Sequence, residues 1–237
     1  MSEPVPLRRG IVAIDGPAGA GKSTLARFLA REFGLLTLET GAMYRAFALK
    51  ALRSCLPLDD SKGLEGLAAR TAIRLEQGEE ENRVFLDGED VTASLRTQAV
   101  TDAASKVSVF PAIRAWMVRL QQELAAEGGV VMEGRDIGTV VFPHADVKIF
   151  LDAAPEVRGQ RRFEQLSPTG TTAPAQAETV TREMRARDER DRNRADSPLK
   201  PSPDAVLLDS THLSLDEVLE KAKAIVAARL GGDPGTS

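Results

Sequence analysis

Apolar residues along this chain fall into short continuous runs, at 11–14, 35–38, 130–132, 147–151 and 205–208, separated by longer stretches of helical spacing. Runs of three to five with little alternation suit strands buried on both faces. Between them, Leu25, Phe28 and Leu29 mark one amphipathic segment, and Met43, Ala46, Phe47 and Leu49 mark a second. Ile113, Trp116, Met117, Leu120 and Leu124 recur at i, i+3, i+4, i+7 and i+11, a helical core stripe. Strands alternating with helices predict an α/β fold: a five-stranded parallel sheet with helices on both faces. The boundaries are signalled too. Gly34 closes the first helix, Thr40 N-caps a helix over 41–52, residues 97–106 are helical and Pro111 opens the next helix. Ser214 and Glu217 form a capping box with Leu213 and Val218 as staple, and Gly231 stops the last helix. Only residues 71–92 break the rhythm. There, 72–75 and 83–86 read as strands flanking the turn 77–82, and 87–90 is a second turn, which predicts a small antiparallel insertion.

Composition narrows the field. With 237 residues and 42% hydrophobic content the chain can bury the core of one globular domain. A net charge of −4 supplies no basic field for a nucleic-acid polymer, so phosphate binding must come from local clusters. Cys55, the one cysteine, rules out an internal disulfide and any multi-thiolate metal site, in keeping with a reducing compartment. The start has no apolar signal region, and no stretch reaches the ~20 apolar residues of a membrane span. A cytoplasmic protein without membrane attachment is expected.

The first run leads directly into Gly16-Pro17-Ala18-Gly19-Ala20-Gly21-Lys22-Ser23-Thr24, which satisfies GxxxxGK(S/T), and a helix follows. Strand, glycine loop and helix in that order form a phosphate cradle. The glycines let backbone N–H groups converge on an anion that the helix dipole also attracts. Lys22 then reaches the β- and γ-phosphates, and the Ser23 hydroxyl ligates Mg²⁺. The loop implies a nucleoside triphosphate and is silent on the acceptor.

A second anion site is signalled by residues 182–194, where six arginines stand among thirteen residues. On a helix, Arg187, Arg190, Asp191 and Arg194 share one face, while Asp188 and Arg192 pair elsewhere. Such a segment can also be a solvated helix laced with ion pairs. Beside a triphosphate loop, guanidinium groups suit phosphoryl transfer, where the charge on three equatorial oxygens must be neutralised. Arg45 and Arg135 follow the second and third strands, the strand ends where ligands of parallel sheets bind, and are expected to face the crevice of Lys22; Arg135 could instead pair with Glu133. Residues 167–175 cannot pack a core and, with Arg158, Arg161 and Arg162 just before them, suit a mobile lid.

IDGPAGAGKST, TGAMYR, AASKVSVFPAIR, VVMEGRDIGTVVFPHADVKIFLDA and RARDERDRNRADSPL together resemble bacterial cytidylate (CMP) kinases, from about Ile11 to Leu230. The resemblance implies a P-loop nucleoside monophosphate kinase. It implies a single domain with core segments 10–56, 104–155 and 178–231, an acceptor-binding insert at about 57–103, a lid at about 156–177 and a disordered tail at 232–237. ATP with Mg²⁺ would phosphorylate CMP or dCMP, with Gly16 to Thr24 holding ATP. Thr40, Arg45, Arg135 and Arg194 would hold the acceptor phosphate, and Arg187 and Asp191 would reach the ribose and the transferring phosphate. Ser105, Arg114 and Asp136 would read the cytosine edge. From the residues alone, Ser105 also reads as a surface helix position and Arg114 as a flank of the apolar stripe. Lys22, Arg135, Arg187 and Arg194 are the candidate catalytic groups in a monomer.

One departure stands out: Glu39 occupies a position where the family usually has aspartate. Asp15 either supports Lys22 or the metal's waters, or caps the loop. The acceptor is already an oxyanion, so in-line transfer needs no strong base, and neither His144 nor His212 is placed as one. A small-molecule kinase with another acceptor and an ATP-switched regulatory module are the rivals; NKxD, expected of a GTPase, is absent.

Overall fold

The computed structural model describes residues 10–78, 82–166 and 174–230. Residues 167–173 of the expected 167–175 lid loop, the middle of the 77–82 turn, the stop at Gly231 and the tail lie outside them, while Pro174 and Ala175 already belong to a helix. In chain order the elements are β1 (Ile11–Asp15), α1 (Lys22–Phe33), β2 (Leu36–Glu39), α2 (Thr40–Arg53), α3 (Ser61–Ala68), β3 (Ile73–Glu76), β4 (Arg83–Leu86) and β5 (Glu89–Asp90). There follow α4 (Gln98–Val107), α5 (Pro111–Leu124), β6 (Val130–Gly134), β7 (Val147–Asp152), α6 (Pro155–Leu166), α7 (Pro174–Asn193), β8 (Val206–Asp209) and α8 (Leu215–Leu230). A 3-10 turn spans Thr92–Arg96, and a π-turn spans Ile137–Val141. The five apolar runs form one parallel five-stranded sheet in the order β2-β6-β1-β7-β8, accompanied by helices as the alternation predicts.

The chain divides into two compact units, one made of the segments up to Leu35 and from Gly129 onward, the other spanning Leu36–Gly128. In the first, β1 lies between β6 and β7 and ends in register with both, Asp15 opposite Gly134 and Phe150. Val12, Ile14, Val131, Val147, Ile149 and Leu151 pack with Leu25, Leu29 and Phe33 of α1 and Val218, Ala222 and Val226 of α8. Gly16 leaves β1 at φ 149°, and a Cβ there would overlap the Leu151 carbonyl oxygen, so only glycine can begin the loop. Gly34 ends α1 in the left-handed conformation at φ 63°, as expected. The α8 capping box is formed: Ser214 N–H donates to Glu217 Oε2 at 2.8 Å and Glu217 N–H to Ser214 Oγ at 3.3 Å.

The second unit has its own core, with Met43 and Phe47 of α2, Leu64 and Leu67 of α3, Ile73, Val84 and Leu86 of the small sheet, and Ile113 and Met117 of α5. The antiparallel insertion has three strands instead of two, in the order β3-β4-β5. Asp87 and Gly88 both adopt positive φ, 52° and 91°, a two-residue hairpin that lets Glu89 and Asp90 pair with β4. Thr40 does not cap α2. The chain passes from β2 into the helix without a loop, so Glu39 takes the N-cap position and Thr40 becomes the first helical residue, buried. Thr97 does cap α4, accepting from Val100 N at 3.3 Å. The buried face of α5 is Ile113, Arg114, Met117 and Gln121, with Trp116, Leu120 and Leu124 half-buried beside it.

Replacing Ser214 by Ala removes the acceptor for the Glu217 N–H in the first turn of α8. Urea unfolding of that variant is expected to show a loss of about 1 kcal/mol, with kinetic behaviour unchanged because the cap is remote from the phosphate loop.

Candidate active site

The phosphate loop runs from the end of β1 into α1, whose N-cap Gly21 is left-handed at φ 97°. Lys22 is the first helical residue and is almost fully buried, and its Nζ donates to Pro17 O inside the loop at 2.8 Å. Beside it, Ser23 Oγ donates to Glu133 Oε1 at 3.1 Å, and the Glu133 carboxylate stands 3.9 Å from Lys22 Nζ. Burial pushes the Lys22 ammonium down to about 7, and the positive charges of Arg135 and Arg187 add to that effect against Glu133. A hydroxyl and a carboxylate in contact at the head of a phosphate-type loop are hard oxygen donors of the kind Mg²⁺ takes.

Three arginines gather on one carboxylate next to this lysine. Asp191 is 5% exposed on α7; its Oδ2 accepts from Arg135 Nε at 3.0 Å, and Arg194 Nη1 lies 3.7 Å from its Oδ1. Burial alone would raise the Asp191 pKa, but Arg135, Arg187 and Arg194 overcome it and hold the group below the ordinary carboxylate range. Arg135 is desolvated too, yet the carboxylates of Asp191 and Glu133 keep its pKa above the usual arginine value. Arg135 therefore pairs with Asp191 rather than forming a closed pair with its neighbour Glu133. Arg194 lies just past the end of α7, where Nη2 also donates to Ser197 O at 2.8 Å.

The arginine spacing misjudged the rest of this helix. Arg190 is exposed, and the buried positions are Met184, Asp188 and Asp191. Asp188 pairs with Arg158 at 2.5 Å and not with Arg192, because its face of α7 is turned toward α6 and the phosphate loop. Arg158 is thus sequestered, and Arg161 donates to Ser210 Oγ and O at 3.0 and 2.9 Å.

Asp15, the last residue of β1, does not touch Lys22. Its carboxylate accepts from the N–H groups of Ile137 and Gly138 at 2.8 and 2.7 Å and so holds the start of the π-turn that follows Arg135 and buried Asp136. Burial pushes this carboxyl up to about 6 despite the two backbone donors, with the Asp136 charge adding and Lys22 opposing.

The family model for cytidylate kinase matches residues 12–228. The chain belongs to the cytidylate kinase family. Proteins named cytidylate kinase from Solibacter usitatus and Pelotomaculum thermopropionicum are each 50% identical to it, over 223 and 218 residues. These matches cover 94% and 92% of this chain and 94% and 96% of theirs. The cytidylate kinase of Pasteurella multocida is 45% identical over 220 residues, 93% of this chain and 96% of its own.

For a cytidylate kinase family member, the structure brings Lys22, Ser23, Arg135, Arg187, Asp191 and Arg194 into one charge cluster within the first unit, with Asp136 next in sequence to Arg135. The remaining candidates belong to the second unit. Arg45 Nη2 donates to Glu39 Oε1 at 2.7 Å, so the glutamate that departs from the family pattern orients Arg45 from the cap of the same helix. Ser105 on α4 is buried, not a surface position, and its Oγ has no hydrogen-bond partner. Arg114 on α5 is 2% exposed, and Nη1 donates to Ser108 O at 3.3 Å. His144 and His212 are both exposed.

Glu133 and Asp188 escaped the sequence reading as site residues, and Arg158 was read only as a lid arginine. The first two left a signal. Glu133 puts a charge at the end of a strand otherwise buried on both faces, which needs a partner; Met184, Asp188 and Asp191 follow i, i+4, i+7 on α7.

The raised Asp15 pKa makes a pH-dependent stability. The unfolded carboxyl titrates near 3.8 and the folded one near 6, so this group's stabilisation is full below the first value and lost as pH rises through the second. Relative to Asp15→Asn, which cannot titrate, the wild type should lose on the order of 2 kcal/mol between pH 4.5 and 7 in urea titrations. A pH-independent difference would contradict the assignment.

Proposed function

We propose that the protein transfers the γ-phosphoryl group of ATP to CMP and dCMP, yielding the diphosphates, by direct in-line displacement. The observation that carries the transfer chemistry is the convergence of Arg135, Arg187 and Arg194 on buried Asp191 beside the phosphate-loop lysine. The family membership and the names of the relatives supply the acceptor. In this reading Gly16, Pro17, Gly19, Ala20 and Gly21 shape the donor cradle, and N–H groups from Gly19 to Thr24 face the triphosphate. Ala18 contributes its place in the loop but not its N–H, which is engaged by Asp188. Lys22 spans the β- and γ-phosphates. Arg135, Arg187 and Arg194 neutralise the transferring group and the acceptor phosphate, while Asp191 orients the arginines and, with Arg187, serves the ribose end of CMP and the region of the transferring phosphate.

Thr40 and Arg45 complete the acceptor-phosphate contacts. Ser105, Arg114 and Asp136 read the cytosine edge; the unmatched Ser105 hydroxyl and the buried Asp136 carboxylate are the groups that pair with the base. A base offering a carbonyl where cytosine has an amino group would leave Asp136 facing an acceptor in a dry site, which disfavours uridylate. Ser23 and Glu133 would hold the Mg²⁺ that accompanies ATP, and the ion would supply charge neutralisation to the triphosphate. Because a phosphate oxyanion needs no deprotonation, no side chain has to act as a strong base.

The reading includes action as a cytoplasmic monomer without nucleic-acid or membrane partners. The net charge of −4 offers no basic field for a nucleic-acid polymer, and among the described residues no helix is long and apolar enough to cross a membrane.

Initial rates with Mg-ATP and a panel of CMP, dCMP, UMP, AMP, GMP and shikimate test the acceptor. CMP and dCMP are expected to dominate, and a preference for any other member refutes it. Arg194→Ala should lower kcat/KM for CMP by roughly 100-fold to 1000-fold, as loss of one preorganised charge donor does, while leaving ATP-analogue binding within a few-fold.

A further inference from the structure

Ala18 sits inside the phosphate loop, yet side chains from α6 and α7 take both of its backbone polar groups. Its N–H donates to Asp188 Oδ1 at 3.2 Å, and its carbonyl accepts from Arg158 Nη1 at 2.9 Å. The same Nη1 pairs with Asp188 Oδ2 at 2.5 Å, so one guanidinium, one carboxylate and one peptide residue close a ring of hydrogen bonds. Both side chains are almost fully buried, at 1% and 2% exposure. Arg158 is fixed in turn by Nε, which donates to Ala153 O at 2.8 Å just beyond the end of β7. Gly19, at φ 73°, then passes so close to the Arg158 backbone oxygen and Met184 Cε that a Cβ there would force both to shift. Two helices therefore hold the loop at successive residues.

Packing alone does not account for the charges. A buried ion pair stabilises a fold no better than apolar groups of similar volume, and often less well. What an apolar pair could not do is hold the peptide groups of Ala18, one as donor and one as acceptor. We propose that Arg158 and Asp188 are positioning residues for the donor nucleotide. They fix the Ala18 peptides so that the N–H groups from Gly19 onward are aimed at the phosphates before ATP arrives. The inference rests on the reading of residues 16–24 as the donor site.

The test is the double variant Arg158→Met/Asp188→Leu, which keeps the volume and removes both bonds to Ala18. Titration calorimetry with Mg²⁺ and a non-hydrolysable imido analogue of ATP should show roughly tenfold weaker binding, as loss of charge-assisted hydrogen bonds implies. In steady state, KM for ATP should rise while KM for CMP stays within about twofold, a split that general loosening of the fold would not produce. Native analogue affinity in a variant with native thermal unfolding overturns the proposal, as does an equal change in both KM values. If the double variant does not fold, Asp188→Asn, which keeps the shape and loses the charge, takes its place. Analogue binding at least threefold weaker then upholds the proposal, and native binding overturns it. The calorimetric result does not depend on the acceptor, so a wild-type protein that bound the analogue but failed to phosphorylate CMP would refute the acceptor assignment alone.

Discussion

Lys22, Arg135 and Arg187 repel one another in a region from which water is largely excluded, and like charges interact strongly there. The folded chain tolerates them together because Asp191 and Glu133 stand among them, each serving more than one cation. The Lys22 ammonium is depressed chiefly by burial, and Arg135 and Arg187 add to that against Glu133. An excess of positive charge in a dry cluster favours any ligand that brings several phosphate oxygens, which is the requirement of phosphoryl transfer. Much of the surrounding structure serves this arrangement: β1 and β6 deliver Lys22 and Arg135 from adjacent strands, and α7 supplies the carboxylate between the arginines.

The architecture was legible because its signals are local. Five apolar runs became five strands, the Ser214–Glu217 box and Gly34 bounded helices where expected, and the loop sequence sat between strand and helix. Arg135, Arg187, Asp191 and Arg194 were found from charge density and their place beyond strand ends, and they do converge. The boundary at Thr40 was misjudged because capping preference assumes a loop before the helix, and here a strand runs straight into it.

What could not be read depends on which way a helix is rolled. On α7 the abundance of arginines obscured the periodicity of Met184, Asp188 and Asp191, and the facing element was needed to show which stripe is buried. Glu133 likewise looked like a partner for Arg135 two residues on. Its direct contacts, Lys22 and Ser23, come instead from the start of the helix after the neighbouring strand, 110 positions away in the Ser23 bond. Long-range pairings of this kind leave only a hint in sequence, a charge where an apolar residue belongs.

The two hydrogen bonds accepted by Asp15 have a kinetic meaning. They join the end of the strand that launches the phosphate loop to the turn after Arg135, and the strands themselves are paired residue for residue up to Asp15 and Gly134. Lys22 and Arg135 are thus mounted on a single stiff frame. Their mutual placement is set by the fold itself, so the transfer proposed above would demand little further rearrangement from this half of the site.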